Sequence, residues 1–138
     1  HDIGKLGVSN QVLDKPGKLD DDEFAEIKRH PGQGEIILSR IAAFADMAEI
    51  AARHHERLDG KGYPRGLAAP DLSLETRIVT TADIFDALTA DRPYRAAMPV
   101  GQALTIMAGM VGTALDPACL AALHRALERM DEPADVAA

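Results

Sequence analysis

The segment Ser73–Thr89 reads SLETRIVTTADIFDALT, and its periodicity decides the fold class. Ser73 offers an N-cap hydroxyl, and Ile78, Thr81, Ala82, Phe85 and Leu88 recur at helical spacing. A helix from about Leu74 to Thr89 is therefore expected, with those five residues as its buried stripe. Asp83 breaks the pattern. Aspartate is a poor helix former, and a carboxylate close to a buried face needs a compensating charge, for which a metal ion is an economical source.

Helical spacing continues on both sides. Asp20 with Glu23 three residues on forms a capping-box signature, opening a helix that carries Phe24 and Ile27 and reaches His30 near its end. Pro31-Gly32 reads as an interruption, with a further helical turn from Glu35 to Arg40. Phe44, Met47, Ala48 and Ala51 mark a helix over Ala42–His54. Pro99 suits the first turn of a helix running to about Met110, and Asp116-Pro117 opens a last one ending near Met130. Residues 1–6 read as the end of a helix, Gly7–Lys18 as a loop turning at Pro16-Gly17, and Glu56–Asp71 as a second loop rich in glycine and proline. No alternating strand pattern competes, so the class is all-α.

Composition agrees. The 138 residues are 46% apolar but only 4% aromatic, without tryptophan, which favours packed helices. The net charge is −7, from 22 acidic and 15 basic side chains, and disfavours DNA or RNA as a partner. A small phosphate ligand is compatible, because bound cations and a few arginines can hold it locally. The single cysteine, Cys119, excludes an intramolecular disulfide framework and fits a reducing compartment. No apolar run approaches the roughly 20 residues of a membrane span, so a cytoplasmic chain without membrane contact is expected.

The chemistry-bearing residues are histidines and aspartates in a particular order. His1-Asp2 comes first, His30 stands before the Pro-Gly break, and His54-His55 precedes Glu56-Arg57-Leu58-Asp59-Gly60-Lys61-Gly62-Tyr63-Pro64. His124, between Leu123 and Arg125, reads as a structural or surface residue. Taken singly, His30 suits a cap or core and Asp83 a solvated helix position. Together they suit iron, manganese, zinc or a similar divalent ion better than an all-oxygen calcium site. Without a cysteine pair there is no zinc finger. Two such ions acting on a phosphate ester is the chemistry the set favours.

These motifs, with Asp83-Ile84-Phe85-Asp86-Ala87-Leu88-Thr89 and Asp91-Arg92-Pro93-Tyr94-Arg95, resemble the HD-GYP domain, a branch of the HD metal-dependent phosphohydrolase superfamily. The likeness runs from residue 1 to roughly residue 117. It implies an all-α HD-superfamily helical bundle over residues 1–130, lacking its first helices, and a flexible tail over 131–138. It further implies hydrolysis of cyclic di-GMP to pGpG or GMP in bacterial second-messenger signalling, with two or three divalent ions, iron or manganese first.

By the resemblance, His1, Asp2 and Asp83 hold one ion, and Asp2 bridges to a second held by His30, His54 and His55. Lys5 contacts the scissile phosphate or assists the leaving oxygen, so Lys5 and Asp2 are the expected catalytic pair. Asp86, Arg92 and Arg95 engage guanine and phosphates, and Gly60, Gly62, Tyr63 and Pro64 form a loop beside the substrate. A GGDEF-type or other signalling protein is the implied partner beyond the cyclic dinucleotide. Family members carry a further histidine or glutamate ligand on helices before the His-Asp pair, so this chain alone is expected to bind metal weakly and turn over slowly. Two alternatives remain open: hydrolysis of another cyclic dinucleotide, and a non-catalytic module that binds nucleotide or protein.

Overall fold

The structure, a computed structural model, describes residues 1–91 and 96–131. Among the described residues seven α-helices follow one another: α1 (Asn10–Leu13), α2 (Asp21–Ile27), α3 (His30–Leu38), α4 (Ala45–Arg53), α5 (Leu74–Thr89), α6 (Val100–Ala108) and α7 (Pro117–Asp131). Short 3-10 turns occupy Ile3–Gly7, Ala42–Phe44 and Ala69–Asp71. Only two isolated bridges, Asp59 with Ala68 and Val111 with Leu115, interrupt this all-α architecture among the described residues.

Local chemistry explains the helix ends. The capping box at α2 is complete: Glu23 N–H donates to Asp20 Oδ1 at 2.9 Å, and Asp20 N–H to Glu23 Oε2 at 2.8 Å. Ser73 caps α5 by accepting from Thr76 N–H, and α5 keeps the expected limits.

Several expectations need correction. The N-terminal residues form a 3-10 turn, and the expected loop after Gly7 contains α1, capped by Ser9. His30 opens α3 rather than closing α2, because Pro31 sits in a first turn, where its missing N–H costs nothing. The next helix therefore runs His30–Leu38 instead of starting at Glu35. The expected helix over Ala42–His54 divides into a 3-10 turn and α4, with Phe44 and Met47 exposed while Ala48, Ala51 and Ala52 are buried. Helix α6 stops at Ala108, with Pro99 as its N-cap. Asp131, assigned to the tail, is the last residue of α7, and residues 132–138 lie outside the described residues.

The stripe on α5 is also rotated. Ile78 and Ala82 are exposed, while Thr76, Thr80 and Thr81 are buried and Phe85 and Leu88 are half-buried. The threonines tolerate burial because their hydroxyls bond helix carbonyls: Thr80 Oγ1 donates to Thr76 O and His54 O, and Thr81 Oγ1 to Arg77 O. A core of Met107, Ala114, Leu115 and Leu120 takes Ile84, Phe85 and Leu88 from α5 and fixes its C-terminal half against α6 and α7. Helix α4 packs on α5, and α3 packs on both α4 and the first 3-10 turn. That turn lies flush on α3 because Gly4 has no side chain, and a Cβ there would overlap the His30 carbonyl. No described helix is long and apolar enough to cross a membrane.

Candidate metal centre and its loop

Four of the ligand-type side chains sit at or beside element ends. Asp2 is the N-cap of the first 3-10 turn, His30 begins α3, His54 is the C-cap of α4, and His55 follows it. Asp83 alone projects from mid-helix, in α5. The packing of α3 and α5 around α4 makes these ends converge.

His30 and His54 are fully buried. His30 Nδ1 lies 2.7 Å from Ile27 O, and His54 Nδ1 lies 2.7 Å from Ala51 O. A carbonyl can only accept, so both rings carry their proton on Nδ1. Their Nε2 lone pairs then face each other at 3.3 Å. Asp2 Oδ1 joins them, 3.3 Å from His30 Nε2 and 3.9 Å from His54 Nε2, buried and without a hydrogen-bond partner. Three acceptors thus meet at one point. A shared extra proton or a metal ion must hold them there, because a buried unsatisfied acceptor is costly.

The other side of Asp2 faces a second cluster. Its Oδ2 is 3.7 Å from His1 Nε2, and His1 Nε2 is 3.3 Å from Asp83 Oδ1. His55 Nδ1 approaches Asp83 Oδ2 at 3.8 Å. Among the described residues two groups of ligand atoms are close enough to hold an ion: His30, His54 and His55, and separately His1, His54 and Asp83. The first is the trio expected from sequence. The second contains His54 in the position expected for Asp2, whose two oxygens lie between the groups. The Nδ1–carbonyl bonds are the kind of outer support that orients metal-binding imidazoles.

Electrostatics keeps the acceptors deprotonated. Burial, reinforced by the neighbouring His55, pushes the His54 pKa down to about 4. Burial and His30 bring His55 to about 4 as well, against the opposing pull of Asp83. The Asp83 hydrogen bond raises His1. Burial pushes the carboxyls of Asp2 and Asp83 up, but their hydrogen-bond and charge partners prevail. His30, Lys5 and His1 hold Asp2 well below the usual carboxylate range, and His1 and the other imidazoles lower Asp83. A cation at this point would serve the same charge balance for Asp2 Oδ1, which has no hydrogen-bond partner. Lys5 Nζ lies 2.5 Å from Asp2 Oδ2, one turn away.

A cavity of about 370 Å³ opens beside the second cluster, lined by His1, Asp2, Ile78, Val79, Asp83 and Asp86 among others. The loop after His55 folds back onto His55 itself. Tyr63 N–H donates to His55 O at 3.2 Å, and the Tyr63 ring lies 4.7 Å from the His55 ring at 30°. Burial, with Asp83 and Asp2 nearby, raises Tyr63 to about 12, so it stays a neutral phenol. Gly60 has φ 72°, in the left-handed region. At Gly62 a Cβ would come within 2.5 Å of Glu56 Cα and Arg57 N, so only glycine lets the loop fold back on itself. Pro64 follows at the exposed tip. Arg92 and Arg95, expected at the phosphates, lie outside the described residues.

Two features escaped sequence reasoning. Glu56 is buried and accepts from Arg65 N–H at 2.6 Å and Leu67 N–H at 2.9 Å. Its place directly after His54-His55 and before a glycine-rich loop was the available signal. Phe24, read only as an apolar position, lies edge-to-face with Tyr63 at 6.5 Å and beneath Lys28 Nζ at 4.8 Å. No local signal linked α2 to a loop so distant in sequence.

Residues 1–119 match the family model described as HD domain. The chain is 56% identical over 132 residues to a 3′3′-cGAMP-specific phosphodiesterase 3 of Vibrio cholerae, covering 96% of this chain and 29% of that protein. It is 44% identical over 134 residues to the cyclic di-GMP phosphodiesterase response regulator RpfG of Xanthomonas campestris, covering 96% and 35%. The chain thus spans about a third of the length of these relatives. Among solved structures, an HDG"Y"P protein from Bdellovibrio bacteriovorus superposes with a TM-score of 0.70 at 21% identity, over 93% of this chain and 40% of that one, a likeness of fold.

Proposed function

The chain belongs to the HD domain family, and from that membership we propose that it is a metal-dependent phosphodiesterase hydrolysing cyclic di-GMP to pGpG or GMP. The observation that carries this reading is the meeting of His30 Nε2, His54 Nε2 and Asp2 Oδ1, three acceptors that need a cation. Two or three divalent ions, iron or manganese, would supply Lewis acidity for a phosphodiester and its attacking water. His1, Asp2 and Asp83 would hold one and His30, His54 and His55 the other, with Asp2 shared.

The chain's own side chains then have distinct tasks. Asp2 and Asp83 keep the centre anionic, and His54 and His55 stay neutral as donors of lone pairs. Lys5 holds an ammonium beside Asp2, suited to stabilising charge on the phosphate or giving a proton to the leaving ribose oxygen. Asp86 lines the cavity and would accept from a guanine edge, with Arg92 and Arg95 on the phosphates. Gly60, Gly62, Tyr63 and Pro64 form the substrate-side loop. Residues 1–130 would act as one domain in the cytoplasm, with a GGDEF-type or other signalling protein as partner.

A second reading changes only the base. Identity of 56% with a 3′3′-cGAMP-specific phosphodiesterase favours that mixed dinucleotide as the substrate. Purification without oxygen, elemental analysis and parallel turnover assays on cyclic di-GMP and 3′3′-cGAMP separate the two. Hydrolysis of neither by the metal-loaded protein, in a chain extended to the length of its relatives, would refute both.

A further inference from the structure

Of the three clustered imidazoles, two are anchored by the backbone and one is not. His30 and His54 each give their Nδ1 proton to a carbonyl in the preceding turn. Among the described residues, no carbonyl accepts a hydrogen bond from the His55 ring, which is also half-buried rather than enclosed. What confines His55 is contact between rings: His54 at 4.0 Å, Tyr63 at 4.7 Å and His30 at 5.0 Å, of which Tyr63 alone comes from the loop. With His30 and His54 fixed by their carbonyl bonds, the adjustable contact that sets its orientation toward Asp83 is Tyr63, carried by the loop.

The loop in turn depends on Glu56. This carboxylate is 1% exposed, and no cationic side chain pairs with it among the described residues. Its two oxygens are taken instead by two amides from the far limb of the loop, Arg65 N–H and Leu67 N–H. One oxygen for each N–H is an arrangement that a carboxylate satisfies and an amide does not, because a glutamine would set an NH2 against one of the donors. The near limb is fixed by Tyr63 N–H on His55 O and by the close fold-back at Gly62. The Arg65 guanidinium also reaches Glu35 on α3 at 2.5 Å, so the pinned limb is tied to the helix that begins with His30.

We propose that Glu56 is a positioning residue for His55: its carboxylate holds the Arg65–Leu67 limb, which sets Tyr63 against the His55 ring and so aims the third imidazole of the centre. The inference rests on the proposed metal-dependent activity for its consequence in turnover, but not for its structural core.

The experiment compares wild type with Glu56→Gln and Tyr63→Leu. In metal-free protein, long-range 1H–15N spectra of the imidazoles report each ring separately. Glu56→Gln is expected to shift the His55 signals while leaving those of His30 and His54, whose carbonyl anchors are untouched. It should also speed amide exchange at Arg65 or Leu67. Tyr63→Leu should move His55 in the same selective way, and the double variant should add little, as expected for residues acting in one chain of contacts. Mn2+ affinity, titrated directly, should fall about tenfold in Glu56→Gln, the usual scale for losing support behind a ligand. Unmoved His55 signals in either variant, or equal movement of all three histidines, would overturn the proposal. Selective movement of His55 in a wild-type background that cleaves neither cyclic dinucleotide would uphold it and sink only the substrate reading.

Discussion

His30 Nε2 and His54 Nε2 face each other at 3.3 Å across the junction of α3 and α4, each with its opposite nitrogen committed to a backbone carbonyl. In a neutral pair neither ring has a proton to offer the other. The fold has brought two buried lone pairs together and added a carboxylate oxygen without a partner. Such a meeting is unfavourable alone and favourable around a cation, so the centre couples folding to ion binding.

That coupling sets the first expectation. Mn2+ at about 100 times its dissociation constant should stabilise the protein by about 2.7 kcal/mol, through mass action on the folded state alone. His54→Ala should lose most of that increment while the metal-free variant melts close to, or above, the metal-free wild type, because one of the clashing acceptors is gone. Thermal melts with and without Mn2+ decide it. An equal shift in wild type and variant would place the ion elsewhere.

The depressed imidazoles make the metal-free protein acid-sensitive, and the sign follows from linkage. His54 and His55 sit at about 4 in the folded protein, while an unfolded histidine titrates near 6.5. Between those values the unfolded chain binds more protons, so stability rises with pH from about 4 to about 6.5. The cost of acid approaches about 3 kcal/mol per imidazole as an upper bound, reduced by coupling between the two rings. His1, whose pKa is raised, works in the opposite direction, giving stability below its unfolded value that fades as pH rises through the folded one. Urea denaturation at pH 7, 6, 5 and 4 should show a net fall toward acid. A flat profile would mean that the two rings are not held neutral.

How much of this was legible in the sequence divides by the range of the interaction. The Asp20–Glu23 box and the Ser73 cap are local hydrogen bonds, and α2 and α5 begin where those residues predicted. The His and Asp residues stood out because chemistry of that kind has few uses, and six of them converge. Pro31 was read as a break because a proline interrupts a helix interior, whereas tertiary packing made it a first-turn residue and turned His30 into a helix start. Hydropathy chose Ile78 and Ala82 over Thr76 and Thr80 for the buried side of α5. It cannot register that a threonine hydroxyl satisfied by its own helix is cheap to bury. Glu56 was hidden for the same reason, since its partners are amides whose positions only the folded loop defines.

Gly62 offers a sharp test of the loop. Alanine there puts a methyl within 2.5 Å of Glu56 Cα and Arg57 N and within 2.6 Å of His55 O, all backbone atoms that cannot swing aside. The loop must shift, at a cost of about 1–3 kcal/mol by the usual scale for overpacking. Because the Tyr63 amide bonds that same His55 carbonyl, the shift should also separate Tyr63 from the His55 ring. Gly62→Ala is therefore expected to lower turnover more than stability, whereas Gly17→Ala, with nothing near its Cβ, should change neither. Chemical denaturation together with kcat and KM would reveal the difference. An active, fully stable Gly62→Ala protein would contradict the geometry of the loop.

Lys5 separates binding an ion from using it. Its ammonium lies on Asp2 Oδ2 at 2.5 Å, where it competes with a cation for the oxygen that also faces His1. Removing it with Lys5→Met should leave Mn2+ affinity unchanged or higher, because that competitor is gone and no ligand atom is lost. Turnover should nevertheless fall by about a hundredfold, the lower end of what a positioned proton donor contributes to a transition state. KM should move little, since the loss is confined to the reacting oxygens. Metal titration and steady-state kinetics on the same preparation separate the two effects. If affinity for Mn2+ and kcat dropped together, Lys5 would be a support for Asp2 and not a participant in the bond cleavage.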